Sequence, residues 1–352
     1  MNSIFSPHTY QFKELHKTAL LRGIFVFLAL IFGLGLVIEI AARLFIIPVP
    51  FPSLGSDNFY FDYKIYTLES QVRHEGPLDC IVVGSSVAHF NLDPAMLETA
   101  YNKKTGQKIR CFNIGIPALT VETAAPVTEA ILKRYQPKIV IFIIMPRDLM
   151  AHEFSVRQLA NNPWVAYQRG NTSPENWLRV NSYALRYFTT WQYWRTPSNR
   201  KKMADETVLI NPAIRGFSGR KGFNELSPPN WLVENDENLQ SIWQTEQTPQ
   251  ALERLTSLEK FNTKIIFIEA PAYSIVNLER QDPAIQYYEQ DYTAKLQAYL
   301  EEKNIPFWRT LEIGRQIPDS GWYDWLHLNS EGAQTFSQWV GEKLAETPEL
   351  FK

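Results

Sequence analysis

The chain has 352 residues, of which 45% are hydrophobic and 20% charged, enough apolar material to bury a sizeable core and too much for a disordered chain. Its 35 lysines and arginines nearly cancel its 37 aspartates and glutamates. A net charge of -2, with no basic patch interleaved with aromatics, gives no electrostatic reason to expect nucleic acid as a partner.

The most biased segment comes first. Gly23 to Ile38 (GIFVFLALIFGLGLVI) carries no charge, and apolar residues continue past Glu39 and Arg43 to Ile47, long enough to span a bilayer. Residues 23–47 therefore read as a transmembrane anchor. Lys13, Lys17 and Arg22 precede it, whereas the far flank offers only Arg43, spaced to pair with Glu39. This bias predicts a single-pass protein with residues 1–22 in the cytoplasm and the remainder periplasmic or extracellular. A cleaved signal peptide is the competing reading, but its apolar core is shorter and ends at a small-residue site, whereas Ala41-Ala42 here runs into Arg43-Leu44-Phe45.

Pro48, Pro50 and Pro52 predict a stiff extended linker, and residues 48–78 are read as that linker plus a leading helix. A single domain over 79–352 follows. Short apolar runs rich in β-branched residues predict strands at Cys80 to Val83, Ile109 to Ile114, Ile139 to Met145, Lys264 to Ile268 and Pro306 to Arg309. Helical patterns lie between and after them at Pro94 to Tyr101, Val121 to Tyr135, Tyr287 to Lys303 and Ser330 to Leu344, the last with Ser330 as N-cap. Unbroken hydrophobicity in the strands means burial on both faces, so the expected fold is α/β, a three-layer α/β/α arrangement around a five-stranded parallel sheet.

From about 150 to 262 the alternation stops, and Trp164, Trp177, Trp191, Trp194, Trp231 and Trp243 fall in this stretch. It reads as an insertion after the third strand that packs a lid onto the core, with stacking on sugar rings or an acyl chain as the functional alternative. Cys80 and Cys111 both sit in predicted strands, where buried free thiols are the expected state. No metal-ligand spacing occurs, and no cofactor is implied.

Two motifs carry chemistry. Ile81-Val82-Val83-Gly84-Ser85-Ser86 is a buried strand ending in Gly-Ser-Ser before a helix, which displays a hydroxyl at the carboxyl edge of a parallel sheet, where ligands bind. By itself it is equally a turn in which serine satisfies backbone groups. Asp324 and His327 lie three residues apart just before the final helix. A hydroxyl is a poor nucleophile until a base takes its proton, and the base needs a partner that fixes its tautomer; Asp324 and His327 can supply both roles. The bland alternative is a turn cap and a surface histidine.

Together these blocks make the chain resemble the SGNH (GDSL-like) hydrolases, whose nucleophilic serine follows the first strand and whose DxxH block lies near the C-terminus. The likeness covers about 79–150 and 264–344. It implies a flavodoxin-like sheet and a triad of Ser86, His327 and Asp324. It also implies an oxyanion or substrate-binding block at Asn113, Gly115 and Ala118, with Ala118 where the family has glycine. Arg147 stands where the third block has asparagine, as an oxyanion donor or anion binder, with a salt bridge to Asp148 as the alternative. His89 and Glu269 lie near strand ends and are left outside the triad.

The resemblance extends to membrane-tethered SGNH-like proteins that acylate envelope polymers. The expectation is therefore an extracytoplasmic serine esterase or O-acyltransferase, working on an envelope polysaccharide or a lipid-linked substrate, with a membrane acyltransferase as possible partner. The alternative is a non-catalytic carbohydrate-binding or scaffold component of an envelope complex.

Overall fold

A computed structural model describes residues 8–44, 51–56, 58–149, 155–206, 211–222, 243, 247–273 and 288–351. Pro48, Pro50, Trp231, Tyr287 and the 45–47 end of the expected anchor lie outside these residues.

Five strands form one all-parallel sheet: β1 (Cys80–Gly84), β2 (Cys111–Asn113), β3 (Ile139–Ile144), β4 (Lys264–Glu269) and β5 (Phe307–Trp308). Every residue of β1, β2 and β3 is buried, as expected of strands covered on both faces. The spatial order is β2-β1-β3-β4-β5. The chain thus steps from β1 to one side, then crosses back over β1 to continue on the other. At the carboxyl ends of β1 and β3 the connections diverge, the switch point at which sheets of this order bind ligands. The two edge strands, β2 and β5, are shorter than expected.

The helices in chain order are α1 (His8–Leu44), α2 (Phe59–Glu75), α3 (Ser86–Asn91), α4 (Pro94–Thr105), α5 (Val121–Tyr135), α6 (Pro146–Leu149), α7 (Pro163–Gln168), α8 (Pro174–Asn181), α9 (Tyr183–Trp194) and α10 (Pro197–Glu206). They continue with α11 (Gln247–Thr256), α12 (Ala294–Glu302), α13 (Leu311–Gln316) and α14 (Ser330–Glu346). Lys17 to Leu44 of α1 is long and apolar enough to cross a membrane, and none of its apolar window is buried.

The final helix, α14, packs on α4 so closely that a Cβ on Gly341 would stand 2.3 Å from the Leu97 carbonyl oxygen. Its cap differs from the expectation. Asn329, not Ser330, is the N-cap: its Oδ1 accepts from the N–H groups of Glu331 (3.0 Å) and Gly332 (3.2 Å). Ser330 Oγ instead donates to the carbonyl of Arg220 at 2.9 Å. The helix expected from Tyr287 opens, in its described part, with a π-helical turn over Tyr288–Thr293 before α12.

One further expectation is corrected. Cys80 and Cys111 are joined as a disulfide rather than free. Parallel register sets them directly opposite each other on β1 and β2, with Cα atoms 4.6 Å apart, a spacing that single-strand reasoning does not reveal. The described residues of the 150–262 stretch pack on the rest of the chain at several places. Trp164 is buried edge-on against Phe61, α9 packs on α1, and α11 packs on α5. Residues 211–222 run along the open edge of β2, where the Asn113 N–H donates to the Arg215 carbonyl at 2.9 Å.

Candidate active site

The site begins at the end of β1. Gly84 has φ 146°, and a Cβ there would meet the Ile143 carbonyl oxygen at 2.4 Å, so only glycine lets β1 turn this close to β3. Ser85 precedes α3 in extended conformation, and Ser86 is the first residue of that helix. Its hydroxyl is thereby half-buried at the sheet's carboxyl edge, at the switch between β1 and β3.

His327 arrives from a loop without regular secondary structure. Its Nε2 lies 2.8 Å from Ser86 Oγ, and its Nδ1 lies 2.9 Å from Oδ2 and 3.0 Å from Oδ1 of Asp324. Asp324 Oδ1 also accepts from the backbone N–H groups of Leu326 (2.9 Å) and His327 (2.7 Å). Burial pushes the Asp324 carboxyl upward. The hydrogen bonds and charge of His327, with those two amides, outweigh burial and hold it below the usual carboxylate value. The three groups are mostly enclosed, with the histidine and aspartate side chains 14% and 15% exposed. The Phe90 ring lies edge-on to His327 at 5.4 Å.

Sequence reasoning missed the residues that hold this loop. Asn91 ends α3 fully buried, and its Oδ1 accepts from the Leu328 N–H at 2.9 Å while its Nδ2 donates to the Leu326 carbonyl at 3.3 Å. One side chain thus clamps the backbone on both sides of His327, and the helix that opens with Ser86 closes with the residue that positions its partner. Tyr273, just after β4, donates its N–H to the Trp325 carbonyl at 3.0 Å. Trp322 and Leu328 close the loop by an antiparallel bridge.

Arg220 comes from the 211–222 segment. Its guanidinium stacks over Phe90 (3.8 Å) and Tyr323 (4.4 Å), and its Nη1 lies 3.6 Å from Asp324 Oδ2. No periodicity marked it, since the run Gly216 to Gly222 has none; only the close packing of Gly216 on Asn113 brings the segment here.

The second block divides into two parts. Asn113 is consumed inside the protein: its Nδ2 donates to the carbonyls of Ala88 and Leu92, each at 2.7 Å, and its Oδ1 accepts from the Gly115 N–H at 2.8 Å. Neither the Asn113 side chain nor the Gly115 N–H is thereby aimed at a substrate. A Cβ on Gly115 would stand 2.5 Å from the His89 nitrogen, so this glycine is required for packing on α3. Lys64, fully buried on α2, donates to the Asn113 carbonyl and Oδ1, and burial pulls its ammonium well below the ordinary lysine value.

Ala118 occupies the third position of a turn closed by the Leu119 N–H to the Ile116 carbonyl at 2.9 Å, with Pro117 before it. Its φ is 65°, the left-handed conformation that glycine favours at this place in a type II turn. The backbone thus keeps a glycine-like shape under an alanine side chain.

Arg147 stands exposed in the turn after β3. Its neighbour Asp148 points inward, accepting from the Met145 N–H at 3.1 Å, and burial raises its carboxyl to about 7. Glu269, at the end of β4, is a buried anchor that accepts from Arg309 Nε (3.1 Å) and the Thr310 N–H (2.9 Å). His89 is buried between Tyr60 and Phe90. Among the described residues, no group of three or more His, Cys, Asp or Glu converges to hold a metal ion. The sequence matches no model of a protein family, and a search of curated proteins finds no relative.

Proposed function

We propose that this chain is a membrane-tethered serine ester hydrolase or O-acyltransferase with an SGNH-like, three-layer α/β/α fold. The observation that carries the reading is the continuous hydrogen-bonded line from Ser86 Oγ through His327 to Asp324, 2.8 and 2.9 Å per step. The strand order β2-β1-β3-β4-β5 supports the fold assignment, since flavodoxin-like sheets share it and bind ligands at the same switch point.

In this reading Ser86 Oγ attacks an ester carbonyl carbon as its proton passes to His327 Nε2, and the tetrahedral oxyanion is met by the backbone N–H groups of Ser86 and Ala118. The bond to the leaving alkoxide breaks, and His327 returns the proton to it. Asp324 orients the imidazole and stabilises its positive form. A second oxygen nucleophile, deprotonated by His327, then attacks the acyl-enzyme and releases Ser86: water gives hydrolysis, a sugar hydroxyl gives transfer. Exposed Arg147 beside this edge would attract an anionic part of the substrate or its carrier.

The tether and the compartment follow from two other features. The apolar Lys17–Leu44 helix with Lys17 and Arg22 at its start supports an inside N-terminus, and the Cys80–Cys111 disulfide suits an oxidising exterior. Substrates there are envelope polysaccharides or lipid-linked precursors, with a membrane acyltransferase as the natural acyl source. The test is covalent labelling by a fluorophosphonate: the wild-type chain labels and Ser86→Ala does not, while equal labelling of both removes Ser86 as nucleophile. A scaffold role would be indicated instead if Ser86→Ala restored full function to a deletion strain.

A further inference from the structure

The base of the domain carries a second built feature, remote in sequence from the triad. Glu39, near the end of α1, accepts from the Ser182 hydroxyl (2.8 Å) and from the N–H groups of Tyr183 (2.9 Å) and Ala184 (3.1 Å), the first turn of α9. Arg43 bonds Glu39 at 2.8 Å and the Asn181 carbonyl at 2.6 Å, and its guanidinium lies over the Tyr183 ring at 4.7 Å. The apolar helix is therefore bolted to the α8–α9 pair. The position of α8 and α9 relative to any bilayer entered by α1 is thereby set.

Two surfaces meet at this junction. The first is apolar: Trp177 and Leu178 on α8 and Phe188 and Trp191 on α9 are about half exposed, at 53%, 49%, 50% and 52%. They continue the exposed apolar face of α1, which reaches Leu44 at 73%. Tryptophan beside a membrane helix suits the boundary between acyl chains and headgroups.

The second is a pocket of about 440 Å³ whose walls include Arg43, Arg73, Arg134 and Arg186 against the single carboxylate of Glu69. Arg186 is 3% exposed; its Nη2 reaches the Pro52 carbonyl at 3.3 Å and lies 3.6 Å from Glu69, while its Nε has no hydrogen-bond partner among the described residues. Arg43 and Arg186 are held in the wall by Glu39, Glu69 and backbone carbonyls, while Arg73 and Arg134 stand exposed at its rim, so four guanidinium groups from α1, α2, α5 and α9 line one cavity, a lining that suits an anion with several oxygens. Arg43, in the last turn of α1, is part of its wall, which would set the cavity near lipid phosphates if α1 spans a bilayer.

We propose that this arginine-lined pocket binds the phosphate headgroup of an anionic phospholipid, with Trp177, Leu178, Phe188 and Trp191 seated at the headgroup–acyl boundary. The proposal rests on α1 spanning a membrane and is independent of the chemistry at Ser86. Bound lipid would hold the domain in one tilt, so that the site edge of the sheet is presented at a fixed height above the bilayer.

The test uses the full chain in neutral maltoside micelles, titrated with phosphatidylglycerol, phosphatidylcholine or inorganic phosphate and followed by thermal midpoint and tryptophan fluorescence. Phosphatidylglycerol is expected to bind saturably and at least tenfold more tightly than phosphatidylcholine. Arg73→Gln/Arg134→Gln, at exposed positions that leave the core intact, is expected to weaken it by roughly tenfold or more. Equal binding of the two lipids, or an unchanged affinity in the double variant, overturns the proposal. Inorganic phosphate acting at the same concentration as the lipid overturns it too, since the site would then take a free anion. Fluorescence quenching by brominated lipid should fall in Trp177→Phe/Trp191→Phe; undiminished quenching removes the aromatic seat. Carbonate extraction of membranes tests the span of α1 separately, so the two readings fail independently.

Discussion

Ser86 and His327 stand 2.8 Å apart, yet the chain delivers them by opposite means. Ser86 rides a strand, a tight glycine turn and the first residue of a helix, so its direction is set by the ten residues around it. His327 sits in a loop whose shape depends on Asn91 and Arg220, 236 and 107 positions away in sequence, and on the Tyr273 amide. The contrast teaches that a serine proposed as nucleophile can be placed by local conformation. A base that must meet it with correct tautomer and distance needs tertiary clamps.

The largest expected effect strikes the clamp nearest the chemistry. Asp324→Asn keeps the size of the side chain but removes the charge that stabilises imidazolium and selects its tautomer, so turnover should fall by roughly 10³–10⁴ with little change in fold. A loss below tenfold in an ester assay would show that His327 is oriented by something else. Asn91→Ala comes next. It leaves the Leu326 carbonyl and the Leu328 N–H buried without partners, costing roughly 2–4 kcal/mol of stability. In the folded fraction kcat should drop with KM unchanged, as expected for a positioning residue; an unchanged kcat would assign Asn91 to folding alone.

A smaller and pH-dependent effect is expected beside the nucleophile. Asp148 ordinarily titrates at 3.8 but is raised by burial to about 7, so the folded protein holds a proton that the unfolded chain releases in between. Its contribution is therefore complete below 3.8 and lost as the pH climbs to about 7. Asp148→Asn should flatten that slope and gain roughly 1–3 kcal/mol over wild type at pH 8 in denaturant unfolding. An unchanged slope between pH 4 and 8 would show that Asp148 ionises freely.

The smallest effect concerns Ala118, which bears a left-handed φ at a cost of roughly 1–2 kcal/mol, partly balanced by the lower unfolded-state entropy of alanine. Ala118→Gly should therefore raise stability by at most about 1 kcal/mol and leave fluorophosphonate labelling intact. A collapse in labelling would mean that the methyl group itself shapes the site.

Much of the fold was readable along the chain. Runs such as Ile139–Ile144 are rich in β-branched residues and apolar without alternation, which points to a strand covered on both faces, and the uncharged Gly23–Ile38 run points to a helix long and apolar enough to cross a membrane. Turn and spacing left Ser85 and Ser86 equal and Asp324 and His327 open to a bland reading; the resemblance to the SGNH hydrolases joined Ser86, Asp324 and His327 into one expected set. The disulfide was not readable, because Cys80 and Cys111 meet through the register of two strands separated by α3 and α4. Nor was the true cap Asn329, which differs from Ser330 only in which side-chain oxygen faces the first turn of α14.

What the sequence determined by itself is thus local: period, charge, conformational preference and the chemical types at the turn and in the DxxH block. Tertiary structure alone decided the distances. Asn91 clamping the histidine loop, Arg220 arriving from 211–222, and four arginines gathering around one pocket at the end of α1 each join segments that share no pattern along the chain. Hydrogen bonds and ion pairs act over a few ångströms of space, and only packing brings residues a hundred positions apart within that reach.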